Sequence, residues 1–225
     1  MPLSTQHGDT PRTAYLLSRY PAVSHTFFLK EILGLRQRGI TIEVASINDP
    51  DRPLADLPDV EREEAGNTFY IKHGSKLGKL VSLSRILFSH PVVCLRGLRA
   101  ACSMGGWDLR ERAFSLFYLA EALFVGDWMR QRSLPHLHVH FGGPVASVGL
   151  LVSAAWKIPW SLTVHGPDEF FEQERFLLLK KFESARFLIC ISDQGRSQVL
   201  RIAPSLDPSR IQVVRLGVDL SLIHI

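Results

Sequence analysis

Four short segments of this chain combine residue types able to do chemistry with positions just past an apolar run: Arg19-Tyr20-Pro21, His140-Phe141-Gly142-Gly143, His165-Gly166-Pro167-Asp168-Glu169 and Ser192-Asp193. His165 is the sharpest of them. It ends an apolar run and precedes Gly-Pro, so the backbone turns there and the imidazole is aimed at whatever cleft lies beyond. A histidine so placed donates a hydrogen bond to a sugar hydroxyl or a phosphate, or polarises a reacting group. A histidine that ties one loop to the next would give the same pattern. Asp168 and Glu169 offer carboxylates that orient a polyol, or cap the next helix. Gly142 and Gly143 precede Pro144, a helix-start signal. Amides at a helix N-terminus attract anions, and glycines allow a ligand close approach; a merely flexible joint reads the same way.

Other chemistries find less support. His136, His138 and His140 alternate, so they share a strand face, as metal-binding histidine pairs do. No matching set of acidic or histidine ligands accompanies them, and no metal is expected. The first apolar run leads into Arg19-Tyr20-Pro21 and not into GxGxxG, which argues against a nicotinamide enzyme. There is no GxSxG elbow, and none of Cys94, Cys102 and Cys190 lies beside a base in sequence.

The elements that must carry these segments alternate in kind. Apolar runs at Thr13–Ser18, Ile40–Ile47, Phe69–Ile71, Leu137–Phe141, Trp160–Val164, Phe187–Ile191 and Ile211–Leu216, most of them continuous, read as strands. Helical periodicity marks 27–38, 77–102 with a break at Pro91, 109–131, 144–157, 176–184 and 193–203. Asn48 to Gly66, rich in Pro and Asp, reads as a surface excursion. Strands that are mostly apolar throughout and separated by helices predict an α/β fold: a Rossmann-like, mostly parallel sheet with helices on both faces. Ligands of such a sheet sit beyond the carboxyl ends of its strands, where the four segments fall.

Composition sets outer limits. At 225 residues, 46% apolar and 21% charged, the chain suits a folded globular unit, with residues 1–12 as a flexible tail and no internal boundary before residue 216. Three scattered cysteines suggest reduced thiols. No secretory signal is evident, and no apolar run reaches the roughly 20 residues of a bilayer span, so a cytoplasmic location is expected. The net charge of +4 is uneven: Lys72 to Arg112 holds eight Lys or Arg against Asp108 and Glu111. Leu77, Leu80, Leu83, Ile86, Leu87 and Phe88 recur there at helical spacing. Such a segment lies on an anionic inner-membrane surface, or packs inward and leaves a solvated basic side. Nothing resembles a nucleic-acid-binding module.

Taken in order, the segments resemble a family. Tyr15-Leu-Leu-Ser-Arg-Tyr-Pro-Ala-Val-Ser-His-Thr-Phe-Phe28 with Glu31 is similar to the opening of bacterial family 4 glycosyltransferases, the colanic-acid and exopolysaccharide branch above all. His25 stands where that branch usually has Glu. His138-Val-His-Phe-Gly-Gly143, Leu162-Thr-Val-His-Gly-Pro-Asp-Glu-Phe170, Ile191-Ser-Asp193 and Val214-Arg-Leu-Gly-Val-Asp219 follow the later landmarks. The resemblance implies a retaining hexosyl transfer from a nucleotide-sugar to a glycan or lipid-linked acceptor in polysaccharide synthesis, with no obligatory metal or other cofactor. It implies a GT-B enzyme of two Rossmann-like domains. Residues 13–219 would be the N-terminal, acceptor-side half; the C-terminal half, which grips the nucleotide, would be missing, and residues 220–225 would be a truncation scar. His165 would be the catalytic histidine that meets the donor sugar. Arg19, Tyr20, Ser24, Thr26, Gly142, Gly143, Gly166, Asp168, Glu169 and Ser192 would line the cleft. Such a half-enzyme is expected to be inactive alone. Alternatives are a stand-alone binding module for glycan or lipid-linked saccharide and, more remotely, another Rossmann-like enzyme.

Overall fold

The computed structural model describes residues 10–104 and 108–217, the side chains of His25 and Pro167 excepted. Gly105-Gly106, the segment 218–225 and the first nine residues of the expected tail lie outside that range. Seven parallel strands form one sheet: β1 (Arg12–Arg19), β2 (Thr41–Asn48), β3 (Phe69–Tyr70), β4 (Leu137–His140), β5 (Trp160–Val164), β6 (Leu188–Cys190) and β7 (Ile211–Val213). Their order is β3-β2-β1-β4-β5-β6-β7, and every neighbouring pair is parallel. Arg12, expected in the tail, already pairs with Thr41.

Crossovers between parallel strands are right-handed, so connections running in opposite directions along the sheet put their helices on opposite faces. From β1 to β2 the chain moves one way through α1 (Thr26–Gln37). Phe28 and Ile32 of that helix pack on Tyr15, Leu17, Ile42 and Val44. From β4 onward it moves the other way through α6 (Pro144–Trp156), α8 (Leu178–Ser184) and α9 (Asp193–Ile202). These helices bury the opposite strand faces: Leu137 and Val139, Trp160 and Leu162, Leu188 and Cys190. The long excursion from β3 to β4 adds α3 (Lys76–Ser89), α4 (Pro91–Cys102) and α5 (Leu109–Gln131), with α4 and α5 packed outside α6. The predicted Rossmann-like α/β architecture, with helices on both faces, is therefore the observed one.

Two short elements differ from expectation. Within the excursion read at 48–66, α2 (Asp59–Asn67) forms with Asp59 and Glu61 in its first turn, where carboxylates complement the helix dipole. Only Glu64 and Ala65 of α2 are buried, so it lacks the apolar stripe that would betray a helix. Likewise α7 (Pro167–Phe171) is a single turn directly after His165-Gly166, and α8 starts at Leu178, not near Phe176.

Candidate functional site

Strand order reverses between β1 and β4, and loops leaving the carboxyl ends of parallel strands flank the crevice at such a switch point. The loops after β1, β4, β5 and β6 all emerge on that one edge, so the four chemistry-bearing segments share a rim.

His165, half-buried, follows β5 directly. Its Nε2 lies 2.9 Å from Nδ1 of the buried His140, and its ring sits 4.4 Å from the Phe141 ring. Phe141 itself adopts φ of 68°, the left-handed region that a bulky L-residue occupies only when its surroundings impose it. Both readings of His165 thus meet in one place: the ring is tied to a neighbouring strand, and it still lines a hollow of about 330 Å³ with Gly166, Phe171, Ser192, Gly195 and Arg201. Ser192 caps α9, its Oγ accepting from the Gly195 amide at 3.0 Å. Gly143 caps α6 with no side-chain partner, and a Cβ added there would meet nothing within 4 Å. Gly143 is itself buried, and Pro144 beside it is exposed at the rim. Arg19, Ser24, Thr26 and Asp168 are exposed, Arg19 at the last position of β1 and Asp168 in the first turn of α7.

Four expected cleft residues are buried instead: Tyr20, Gly142, Gly143 and Glu169. Glu169 is buried: Oε2 accepts from the Gly142 amide at 2.7 Å, and Oε1 accepts from the His165 and Gly166 amides at 2.8 and 3.3 Å. It braces the turn between the two loops. Opposite it, the fully buried Lys181 donates to the Gly142 and Gly143 carbonyls at 2.7 and 2.9 Å. Burial pushes the Lys181 ammonium down to about 7, against the attraction of Glu169, and burial raises the Glu169 carboxyl against its three amide donors. A Cβ on Gly142 would stand 2.8 Å from Leu178 Cδ2, so close packing demands glycine there. Tyr20 is likewise buried, its hydroxyl donating to Glu64 at 2.9 Å and its amide to Ser46 Oγ at 3.1 Å. It moors the loop after β1 to α2.

The histidine ladder is a bonded layer. Ser161 Oγ lies 2.8 Å from His136 Nε2 and 2.7 Å from His138 Nδ1, and His138 Nε2 lies 2.9 Å from Thr163 Oγ1. Burial lowers His138 to about 3 and His136 to about 4, so both stay neutral near pH 7. Ligand atoms of Glu31, His138 and His140 lie within 4.8 Å of one another, a donor set that could in principle hold a cation. Both His138 nitrogens already face hydroxyls, and Tyr15 donates to Glu31 Oε1 at 2.8 Å, so this trio fits a hydrogen-bonded layer better than a metal centre.

On the far side of the switch point lies a feature the sequence did not reveal. Asn48 Nδ2 donates to the Ser18 carbonyl at 2.7 Å, Lys72 Nζ donates to Asn48 Oδ1 at 3.2 Å, and Lys72 sits 3.5 Å from the buried Glu121. Burial raises the Glu121 carboxyl, and Lys72 opposes the rise. This polar chain and the rings of Phe114, Phe117 and Tyr118 line a hollow of about 260 Å³ beside Pro144.

The chain matches Glycosyltransferase Family 4 over residues 26–222. It is 30% identical over 142 residues to the alpha-maltose-1-phosphate synthase of Mycolicibacterium smegmatis, a match covering 58% of this chain and 32% of that enzyme. Among solved structures it is similar to UDP-GlcNAc 2-epimerase from Methanocaldococcus jannaschii, with a TM-score of 0.52 at 11% identity, covering 90% of this chain and 45% of that one. The same enzyme in complex with UDP-GlcNAc and UDP gives 0.54 at 12% identity, covering 90% of this chain and 46% of that one. At such identities the structural likeness speaks to the fold alone, and the chain spans less than half the length of these relatives. The family match begins at Thr26, past most of the opening motif, and it does not select a branch. With the switch-point rim and the parallel sheet beneath it, this match establishes that the chain belongs to glycosyltransferase family 4.

Proposed function

We propose that this chain is the acceptor-side half of a retaining, GT-B-type glycosyltransferase. It would move a hexosyl group from a nucleotide-sugar to a glycan or lipid-linked acceptor of polysaccharide synthesis, in the cytoplasm and without a metal. One observation carries the reading: the α6 N-terminus at Gly143, the His165 imidazole and the capped α9 N-terminus follow the carboxyl ends of the parallel strands β4, β5 and β6 on one edge of the sheet. Helix N-terminal amides favour the negative charge that grows on a departing diphosphate. His165, held by His140, is placed to hydrogen-bond the transferring sugar and steady charge at the reacting centre. Glu169 and Lys181 fix the two loops whose spacing sets that geometry. The hollow beside Lys72 and Asn48 offers hydrogen-bonding groups to acceptor hydroxyls and aromatic faces to sugar rings or an apolar carrier.

The test is an NMR titration of the 225-residue chain with nucleotide-sugars and acceptor-like oligosaccharides, paired with a transfer assay. Saccharides should shift the amides of Gly142, Gly143, His165 and Gly166, and His165→Ala should abolish those shifts while the fold persists, at a Tm lowered by the loss of the His140 and Phe141 contacts. Transfer by the chain alone should be slight, because half of the electrostatic clamp around the donor lies elsewhere. Rapid turnover would overturn the half-site assignment, and unmoved rim amides would overturn sugar binding. Rim shifts without transfer in any reconstituted assembly would favour the saccharide-binding module.

A further inference from the structure

The helical layer α3–α5 leaves an apolar surface that the rim chemistry does not use. In α3 only Ile86 is buried, and Leu83 packs partly on the core. Leu77, Leu80, Val81 and Phe88, spaced as one helical stripe, point outward, with Leu77 71% and Phe88 88% exposed. The chain bends by 106° into α4, where Val92, Leu95 and Leu98 are exposed in turn, Val92 by 63%. Contiguous exposed apolar groups on this scale mark an interaction surface.

Charge selects the partner. From residue 72 to residue 104 the chain holds Lys72, Lys76, Lys79, Arg85, Arg96 and Arg99 and no acidic residue. Lys72 and Arg85 are paired with Glu121 and Asp127. Among the described residues no ion pair engages Lys76, Lys79 or Arg99. An apolar stripe flanked by uncompensated cations matches the boundary between anionic headgroups and acyl chains. The 14 residues of α3 extend only about 21 Å, short of a bilayer core of about 30 Å, so this elbow is suited to lie on a membrane and not to cross it. We infer that the α3–α4 elbow docks on an anionic lipid bilayer, inserting Phe88, Leu80 and Val92 while Lys76 and Arg99 meet headgroups. The inference concerns a surface separate from the sugar-binding rim and does not depend on it.

Co-sedimentation of the chain with vesicles tests it. The protein should pellet with vesicles of phosphatidylcholine and phosphatidylglycerol, stay in solution with phosphatidylcholine alone, and be released by high salt. Leu80→Asp/Phe88→Asp and Lys76→Glu/Arg99→Glu should each weaken binding roughly tenfold or more, with Tm and the saccharide titration unchanged, since these side chains face solvent. Absence of binding to the anionic vesicles, or binding indifferent to both variants, overturns the inference. So does a concentration-dependent dimer that Phe88→Asp abolishes in a chain that ignores vesicles, because the elbow would then be a self-association surface. Rim shifts are read without lipid, so either reading can fail alone.

Discussion

At the scale of single residues, the site is set by buried side chains that brace its loops. Glu169 collects three amide hydrogen bonds from two different loops, and Lys181 returns two to carbonyls of one of them. A buried carboxylate facing a buried ammonium contributes less than its contacts suggest, because both ions were desolvated; removing one partner alone costs the whole imbalance. Glu169→Ala should therefore destabilise the fold by about 3–5 kcal/mol in urea unfolding. Glu169→Gln keeps one acceptor and should lose about 1–3 kcal/mol. A loss near zero for the alanine variant would show that water replaces the brace and that the loops hold themselves. None of this geometry was legible in the sequence. Asp168 and Glu169 read alike as carboxylates after a glycine, yet one is exposed and the other buried, and the difference comes from Lys181, a residue that reads as one of two lysines in an apolar helix. Tyr20 misled for the same reason, since its partner Glu64 lies 44 residues away on a helix the sequence concealed.

At the scale of elements, legibility followed apolar content. β5 and α5 were read with the bounds they have, because Trp160, Leu162 and Val164 alternate with β-favouring Ser161 and Thr163 before the Gly-Pro break, and Leu109–Gln131 carries a long periodic face. α2 and α7 were missed because one buries almost nothing and the other is a single turn. How closely elements approach is a further property that periodicity does not encode. A Cβ on Gly126 of α5 would stand 2.1 Å from Trp156 Cδ1 of α6, whereas a Cβ on Gly66 of α2 would meet nothing within 4 Å. Alanine is the better helix former by about 0.8–1.0 kcal/mol at either site. Gly66→Ala should accordingly be neutral or raise stability by up to that amount. Gly126→Ala should lower it by about 1–3 kcal/mol, as overpacked cores do. Thermal melts of the two variants decide: equal shifts of the same sign would mean that Trp156 swings aside and the α5–α6 contact is not tight.

At the scale of the whole molecule, the sheet turns two unlike faces to its surroundings. One is apolar throughout β4–β6 and packed under α6, α8 and α9. The other carries the His136–Ser161–His138–Thr163 layer and, beside it, a groove of about 600 Å³ lined by Ile189, Ile191 and Val214. That layer couples the stability of the fold to pH. His138 titrates near 3 when folded, because burial disfavours its cation, and near 6.5 when the chain unfolds. The folded value is the lower one, so the unfolded chain takes up the proton first as pH falls. The contribution of His138 is complete above about pH 6.5 and is lost progressively down to about pH 3, at up to about 1.4 kcal/mol per pH unit. His136, lowered to about 4, acts in the same direction. Glu31, Glu121 and Glu169, raised by burial, act in the opposite one and bind protons earlier in the folded state. From about pH 6.5 to 5 the two lowered histidines act against these raised carboxyls, and the loss of stability expected there is the part carried by the histidines. Urea midpoints of the wild type should fall across that interval. His138→Gln keeps a hydrogen-bonding group between Ser161 and Thr163 but has no proton to gain; it should start less stable at neutral pH and fall less on acidification. Parallel profiles for the two proteins would assign the acid sensitivity to other groups and leave the histidine layer without a part in it.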